Sequence, residues 1–404
     1  MTLVTPLALF LSLLALPFAS ARLTLRKLGL ALCLLILHVG ATALSYDYAQ
    51  THIADSAMYY YDLWHFGGRP WWSLSTTFVI HVTQLFRNGL GASYFDCFMM
   101  FQTIGFWGII ILMRTFEEIN DRLLVPEGPL PNLLLFMPTI HYWTSPIGKD
   151  AILFFAIALS TWSSLNLKKR YLRFALGVLI MMMARAHIAA VVMASLVIAA
   201  ALYRGLSFGR RMMLLVPAFT ALVILGVVVQ SSIGLNLSDA GSVAKFLEEK
   251  SVVIVAAAGN TSLNTASFPM RLLSLLFRPF FVDARNALGL VASVENLFIV
   301  LMFTYFLFRW REVIDLYRKV FFIRFALILT FSLILLLAIV NYNVGLGLRQ
   351  RTMFLPPLLS IFVAVWAFRE RMKGVHPPPH VASAPQAPMP VPAAAGTLNP
   401  EPRA

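Results

Sequence analysis

The sequence predicts an all-α protein that crosses a membrane many times. Of its 404 residues, 59% are hydrophobic and 12% are charged, whereas a soluble domain carries about 25% charged residues. Apolar runs recur along the chain at the length that a membrane helix needs, which is roughly 20 residues for a hydrocarbon core of ~30 Å. The short alternating segments typical of a β-barrel do not stand out. We therefore expect a polytopic helical membrane protein.

Apolar segments divide the chain into about eleven predicted transmembrane helices, with short re-entrant or amphipathic helices in the outer loops. The segments are 3–20, 28–45, 94–113, 132–147, 150–167, 171–184, 187–203, 213–231, 288–308, 323–342 and 353–368. The first lacks the basic start of a signal peptide and is interpreted as a retained helix, although "ASA" resembles a cleavage site and leaves removal open. Residues 1–368 form one membrane domain. Residues 369–404, rich in Pro and Ala, are predicted to be a disordered cytoplasmic tail.

The stretch "GVLIMMMARAHIAAVVMASLVI" decides the predicted topology, because Arg185 and His187 interrupt an apolar run. One helix through this run would measure ~45 Å and place Arg185 near its centre. Two short spans that meet in a turn at "ARAH" put about two thirds of the 32 Lys and Arg residues on one side, whereas one span divides them almost evenly. Cytoplasmic loops carry the excess. We therefore predict two spans, an outer-face turn and a cytoplasmic C-terminus.

Several cations then lie on the outer face beside the ends of predicted spans, where they oppose the orientation bias. They come from five places in the chain and are Lys149, Arg185, Arg271, Arg278, Arg285, Arg349 and Arg351. Arg pairs with phosphate in a bidentate way. We expect these residues to converge on a phosphate or pyrophosphate headgroup, and assign Lys149, Arg185, Arg278, Arg349 and Arg351 to that role. Binding of ordinary anionic lipid is the alternative.

The outer segment 46–93 contains the first candidates for acid–base chemistry; the second long outer segment is 232–287. In "ADSAMYYYDLWH", a helix capped by Asp55 or Ser56 places Asp55, Tyr59 and Asp62 on one face. An Asp at the membrane surface is suited to deprotonate a sugar hydroxyl. A solvated loop carboxylate is the alternative.

Other polar residues at predicted span ends complete the candidate site. His187 is a second candidate for the general base, or a hydrogen-bond donor to phosphate. Asp150 follows Lys149 and favours a helix N-terminus. Glu295 lies about two turns inside its predicted span, where carboxylates are usually paired, and Arg278 or Arg285 is its expected partner.

The sequence also excludes several classes of protein. It contains no GxGxxG, Walker A, HExxH, CxxC or Gly-x-Ser-x-Gly motif, which argues against nucleotide hydrolysis, zinc proteolysis and serine hydrolysis. Cys33 and Cys97 fall in or beside predicted spans, so neither a disulfide framework nor a zinc site is expected. The net charge of +14 follows from short basic loops and does not indicate nucleic acid. No cofactor is expected, and nothing supports a divalent metal.

Five segments together resemble bacterial membrane proteins of surface-polysaccharide assembly. They are "IADSAMYYYDLW", "PTIHYWTSPIGKDAI", "ARAH", "FRPFFVDARNALGLVASVENL" and "GLRQRTMFLPPLL". The resemblance runs through roughly residues 45–368 and is to Wzy/EpsG-like polymerases and the related GT-C membrane glycosyltransferases. It implies a polyprenyl-linked saccharide substrate at the periplasmic face of the bacterial inner membrane. It also implies that Asp55 is the base and that outer-face arginines hold the lipid pyrophosphate.

The chain departs from the GT-C pattern in ways that favour a polymerase. It is short, carries no C-terminal periplasmic domain in the sequence given and has no clear acidic-pair signature, which places metal dependence in question. Undecaprenyl-(pyro)phosphate-linked sugar, membrane lipid and other assembly proteins are the expected partners. Three alternatives stay open: a GT-C monosaccharide transferase, a flippase of a lipid-linked saccharide, and a non-catalytic scaffold.

Overall fold

The structure is a computed structural model of the chain. It describes residues 3–203 and 266–373, apart from 53, 64, 66–67, 71, 127 and 285, together with isolated positions between 208 and 263. Within this part the chain is all-helical, without β-strands. More than half of the predicted span 213–231, more than half of segment 232–287 and the tail beyond 373 lie outside the described residues. The last helix runs to Met372, a few residues past the predicted start of the tail.

The helices of the described part are numbered here in chain order. The first nine are α1 (Val4–Leu13), α2 (Leu25–Thr51), α3 (Asp55–Tyr61), α4 (Thr76–Gln84), α5 (Tyr94–Leu123), α6 (Pro129–Leu134), α7 (Pro138–Trp143), α8 (Lys149–Leu165) and α9 (Leu167–Leu202). The others are α10 (Phe268–Phe277), α11 (Ala287–Phe308), α12 (Trp310–Lys319), α13 (Phe321–Ile339), α14 (Val344–Gln350) and α15 (Leu355–Met372).

Short polar side chains begin several of these helices, because the first backbone N–H groups of a helix have no partner within it. Thr24 accepts a hydrogen bond from the backbone of Lys27 and starts α2. Ser93 and Asp96 form a reciprocal capping box at the start of α5. Asn343 accepts from the backbone N–H of Gly345 at 2.8 Å and starts α14. These caps set the ends of helices whose interiors are almost entirely apolar.

The apolar helices run between two polar ends. At one end, Thr5 at the start of α1 donates to Asp96 at the start of α5 at 2.6 Å. At the other, Glu118 near the end of α5 accepts from Trp162 of α8 at 3.0 Å and from Arg170 of α9 at 2.8 Å. Ser56, the neighbour of Asp55, contacts Tyr94 at the first of these ends at 2.7 Å, so we call them the Asp55 end and the Glu118 end. Helices α1 and α5 therefore start at one end, whereas α5 and α8 finish, and α9 starts, at the other.

Helix α9 turns back on itself at Arg185, whose backbone leaves the helical region with φ −152° and ψ 88°. The rings of Phe174 and Phe325 lie 5.8 Å apart, and those of Tyr203 and Phe321 lie 5.7 Å apart. Both arms thus reach the same end of α13, whereas an unbroken helix from 174 to 203 would extend about 44 Å. The predicted turn at "ARAH" is confirmed, and Arg185 lies at its apex.

By length and composition, five helices of the described part are able to cross a membrane: α2, α5, α9, α11 and α13. The number is six if α14 and α15, which meet at an angle of 61°, form one span. The predicted count of about eleven is not confirmed. Residues 132–147 are not one helix as predicted, because Pro138 begins a new short helix after α6 has ended.

Helices α5, α8 and α9 pack closely to form the centre of the molecule. A side chain at Gly108 of α5 would lie only 2.6 Å from the ring of Phe154 on α8. Close approach through small residues is the usual way in which helices associate in a lipid environment. This rigid centre positions the start of α8 and the turn of α9, which both lie at the Asp55 end.

Candidate functional site

The candidate site begins with Asp55, the first residue of the short helix α3. Ala54, not Asp55 or Ser56, occupies the capping position, and the Asp55 side chain is half exposed. The helix ends at Tyr61, and Asp62 adopts a left-handed conformation with φ 51°. The prediction that Asp62 shares a helical face with Asp55 and Tyr59 is therefore wrong. Asp55 faces a different set of partners, contributed by distant segments.

Arg349, near the end of α14, joins two carboxylates from different parts of the chain. Its Nη1 donates to Oδ2 of Asp55 at 2.6 Å, and its Nε donates to Oδ2 of Asp150. Asp150, in the first turn of α8, is only 5% exposed. Arg349 thus connects the outer segment after α2 to the start of α8.

Arg185 reaches the same buried carboxylate from the apex of α9. Its Nη2 lies 3.5 Å from Oδ1 of Asp150, and its Nη1 lies 3.8 Å from the sulfur of Met353. Asp150 is therefore held between two guanidinium groups, one at each of its oxygens. The break in α9 is what brings Arg185 here, because it ends one helical arm at this point and starts the next.

Lys149 is anchored beside Asp150 by the loop that precedes α4. Its Nζ donates to Oγ of Ser75 at 3.0 Å and to Oγ1 of Thr76 at 2.9 Å. Burial, together with the positive charge of Arg185, lowers the pKa of Lys149 to about 8. Three cations from three elements, Lys149, Arg185 and Arg349, therefore lie in one cluster with two carboxylates.

Tyr59 and His187 lie next to this cluster, Tyr59 buried and His187 half-buried. Burial and the charge of Asp55 raise the pKa of Tyr59 to about 12, so its hydroxyl stays protonated at neutral pH. His187 is half-buried two residues beyond Arg185, and Arg185 and Lys149 are its electrostatic neighbours. Of the two predicted bases, Asp55 is the one that forms an ion pair with an arginine of the cluster, Arg349, in the described structure.

The two ion pairs of Arg349 differ in how easily they separate. An exposed pair is worth about 0–1 kcal/mol, which is the range for the half-exposed Asp55. Removing one partner of a buried pair costs about 3–5 kcal/mol, because it leaves an uncompensated charge. The nearly buried Asp150 belongs to that second class. Asp55 is therefore the partner that Arg349 loses first.

Two predicted phosphate-binding arginines do not join the cluster. Arg351 is fully buried, and its guanidinium donates to the carbonyl of Leu275 at 2.6 Å, to Asn296 and to the carbonyl of Arg278. It thus satisfies free carbonyls at the end of α10. Arg278 donates twice to Asp283, at 3.0 and 2.6 Å. These hydrogen bonds raise the pKa of Arg278 and lower that of Asp283.

The remaining predicted residues are placed as follows. Glu295 does not pair with Arg278; its Oε2 accepts from the backbone N–H of Thr139 at 2.8 Å, at the start of α7. Arg285, the other expected partner, lies outside the described residues. Arg271 donates to the carbonyl of Ile339 at 2.8 Å and covers the ring of Tyr342. These side chains stabilise connections at the Asp55 end.

A cleft of about 1000 Å³ leads from the cluster down the side of the molecule. Asp55, Asp150 and Arg349 line its polar end. Its walls are apolar residues of α2 and α11, several of them exposed, such as Ile36, Leu44 and Leu288. Exposed aliphatic side chains on a membrane helix face lipid. The cleft thus connects its charged end to an apolar surface on the side of the molecule.

Sequence reasoning missed the residues that hold Lys149 and Arg185. Ser75 has a positive φ of 65°, and its N–H donates to the carbonyl of Met183 at 2.7 Å. That carbonyl is available because α9 breaks two residues later. Nothing in "SLST" indicates this contact, because the conformation depends on a helix more than a hundred residues away. Met353, which contacts Arg185, likewise carries no sequence signal.

Apolar helices between two polar ends define a fold compatible with a multi-pass membrane protein. In the described part of the chain, no group of three or more His, Cys, Asp or Glu side chains is arranged to hold a metal ion. No protein family, curated protein or solved structure matches this chain. Its function must therefore be argued from the cluster and the cleft.

Proposed function

We propose that this protein is a membrane glycosyl-transfer enzyme of bacterial surface or exopolysaccharide assembly, most specifically a polysaccharide polymerase. Its substrate is a saccharide linked to undecaprenyl (pyro)phosphate. The observation that carries the proposal is that Arg349 lines the polar end of a cleft with apolar, laterally exposed walls, while Arg185 shares its carboxylate Asp150 and Lys149 precedes that carboxylate in the chain. An amphiphile with an anionic head and a long chain matches both parts of this cleft.

The reaction follows from the chemistry of such a donor. An acceptor hydroxyl oxygen attacks the anomeric carbon of the donor sugar, and the bond between that carbon and the phosphate oxygen breaks. Asp55 accepts the proton of the hydroxyl. The polyprenyl pyrophosphate leaves with additional negative charge, which Arg185, Arg349 and Lys149 stabilise. The side chain of Asp55 is half exposed beside the cleft, as a base for an entering acceptor must be.

The sidedness of the reaction follows from the distribution of cations. The Glu118 end contains Lys27, Arg114, Arg122 and Arg170, which lie around Glu117 and Glu118, and also the connection between α11 and α13, whose residues 309–319 include four more Lys and Arg. An excess of basic residues indicates the cytoplasmic side. We assign the Glu118 end and the C-terminus to the cytoplasm, and the Asp55 end to the periplasmic face of the inner membrane. Lipid-linked saccharides would then be used on the outer side.

The direct test is reconstitution of the purified full-length chain in liposomes with a synthetic undecaprenyl-pyrophosphate-linked oligosaccharide. We expect a ladder of products that differ by one oligosaccharide unit, resolved by gel electrophoresis. Asp55→Asn should abolish most of the turnover, since general base catalysis contributes about 100- to 10,000-fold. Unchanged substrate after incubation with the wild-type protein would refute the proposal. A single added unit would instead indicate a ligase or a monosaccharide transferase.

Transport of a lipid-linked saccharide is the second candidate, and one observation favours it. Buried polar side chains lie within the apolar helices: His38 of α2 contacts the carbonyl of Gln102 on α5, and its ring lies 5.3 Å from that of His141. Polar groups inside a membrane often mark a transport path. In the same liposomes a flippase would change which side the saccharide occupies and leave its covalent structure intact.

A further inference from the structure

Arg349 is shared between a half-exposed carboxylate, Asp55, and a nearly buried one, Asp150. Its Nη1 donates to Oδ2 of Asp55, whose side chain is 49% exposed, while its Nε donates to Asp150, which is 5% exposed. Asp150 is also held by Arg185 at its second oxygen. The buried pair therefore keeps Arg349 in position even when the exposed pair separates.

A diphosphate that enters along the cleft needs the same guanidinium edge that Asp55 occupies. Asp55 and Arg349 both line the polar end of the cleft, so an arriving headgroup meets them together. A phosphate accepts two parallel hydrogen bonds from one guanidinium and carries at least as much negative charge as a carboxylate. Ligand and Asp55 consequently compete for Nη1 of Arg349.

This competition couples donor binding to the release of the base, two events that must occur in that order in a transferase. We propose that the diphosphate of the lipid-linked donor displaces Asp55 from Arg349, and that Asp55 becomes free to accept a proton only when the donor is bound. The proposal rests on the function proposed above and adds a regulatory step to the same site. Asp150 acts as a positioning residue, because it holds Arg185 and Arg349 in place while Arg349 exchanges Asp55 for the diphosphate.

The competition predicts that removing the charge of Asp55 strengthens binding. Full-length protein in detergent micelles is titrated with farnesyl pyrophosphate, a short isoprenyl pyrophosphate, and the dissociation constant is measured by calorimetry. Asp55→Asn should bind about three- to fivefold more tightly than wild type, the factor expected for release of an exposed ion pair. Its turnover should nevertheless fall, so that affinity and rate change in opposite directions.

The matched control is Asp47→Asn, which removes the same charge from an exposed residue of α2 at the same end of the molecule. It should leave the dissociation constant within twofold of wild type. Asp55→Ser provides a second variant, and the elution volume and Tm of each variant establish that it is folded. Tighter binding by both Asp55 variants, and not by the control, supports the displacement.

Equal or weaker binding by folded Asp55 variants overturns the displacement and leaves the proposed function standing. Absence of binding by the wild-type protein overturns both, because the cluster would then not be a diphosphate site. Kinetics provide an independent check in the reconstituted system. Donor before acceptor is the order that the displacement requires, and random addition of the two substrates would contradict it.

Discussion

At the scale of single residues, Arg349 and Arg351 show how two neighbouring cations acquire different roles. Arg349 lies in the last turn of α14 and contacts carboxylates at the cleft. Arg351 begins the next turn, is fully buried and contacts carbonyl groups at the end of α10. Both were expected to bind pyrophosphate, since both lie on the predicted outer face beside the end of a span. The direction of each side chain depends on how α14 ends, which the residue types do not reveal.

Replacement of each arginine by Met should separate these roles. Arg351→Met leaves buried carbonyls without a donor, and each such group costs about 1–3 kcal/mol. We therefore expect a loss of at least about 3 kcal/mol in the free energy of unfolding, measured by thermal denaturation in detergent. Arg349→Met should retain most of its stability but lose affinity for farnesyl pyrophosphate. A stable Arg351→Met protein that no longer binds the ligand would show that Arg351 is a binding residue.

Lys149 gives the site a pH dependence with a defined sign. Burial lowers its pKa to about 8, so Lys149 is a cation below that pH and becomes neutral above it. Affinity for farnesyl pyrophosphate should be constant below pH 8 and fall above it, by at most about tenfold per pH unit. Lys149→Arg keeps its charge at every accessible pH and should bind equally well from pH 7 to 9.5. Identical profiles for both proteins would rule out Lys149 as the titrating group.

At the scale of helices, the positions of the site residues depend on where helices break or end. The sequence was sufficient to predict a turn at "ARAH", because cations at mid-bilayer are costly and Lys and Arg distribute unevenly. It was insufficient at 132–147, where hydropathy is continuous and Pro138 nevertheless divides the segment. Hydropathy measures composition, and composition does not report where a helix ends. The break in α9 creates the position of Arg185, and the end of α14 creates that of Arg349.

The cleft between α2 and α11 allows a test of lateral entry that uses two glycines of α2. No atom lies within 4 Å of the place that a side chain would take at Gly40 or at Gly29. Gly40 lines the cleft and Gly29 does not. Gly40→Leu should raise the KM for the undecaprenyl-linked donor about tenfold with little change in kcat, whereas Gly29→Leu should behave as wild type. Equal kinetics for both variants would place the lipid chain elsewhere.

At the scale of the whole molecule, the proposed reaction requires that the two polar ends face opposite sides of a membrane. The all-helical class was predictable, since it follows from hydropathy. The number of spans was not predictable from hydropathy. Several apolar segments form short or broken helices instead of one long apolar helix. The convergence of Lys149, Arg185 and Arg349 was expected, but their arrangement around Asp150 requires the packed structure.

Single cysteines introduced at each end test this orientation in whole cells. Thr51 is exposed at the Asp55 end, and Met372 is exposed at the end of α15. In a background without Cys33 and Cys97, a membrane-impermeant maleimide should label Thr51→Cys in intact cells. Met372→Cys should be labelled only after the cells are opened. The reverse pattern would place the cluster in the cytoplasm and exclude the proposed periplasmic reaction.

The most direct measurement of the central claim is a cryo-electron microscopy map of the protein in nanodiscs with an undecaprenyl-pyrophosphate oligosaccharide bound. The account predicts diphosphate density within hydrogen-bonding distance of Lys149, Arg185 and Arg349, the isoprenoid chain along α2, and Asp55 separated from Arg349. Density for the headgroup at another place, with the Asp55–Arg349 pair intact, would contradict it.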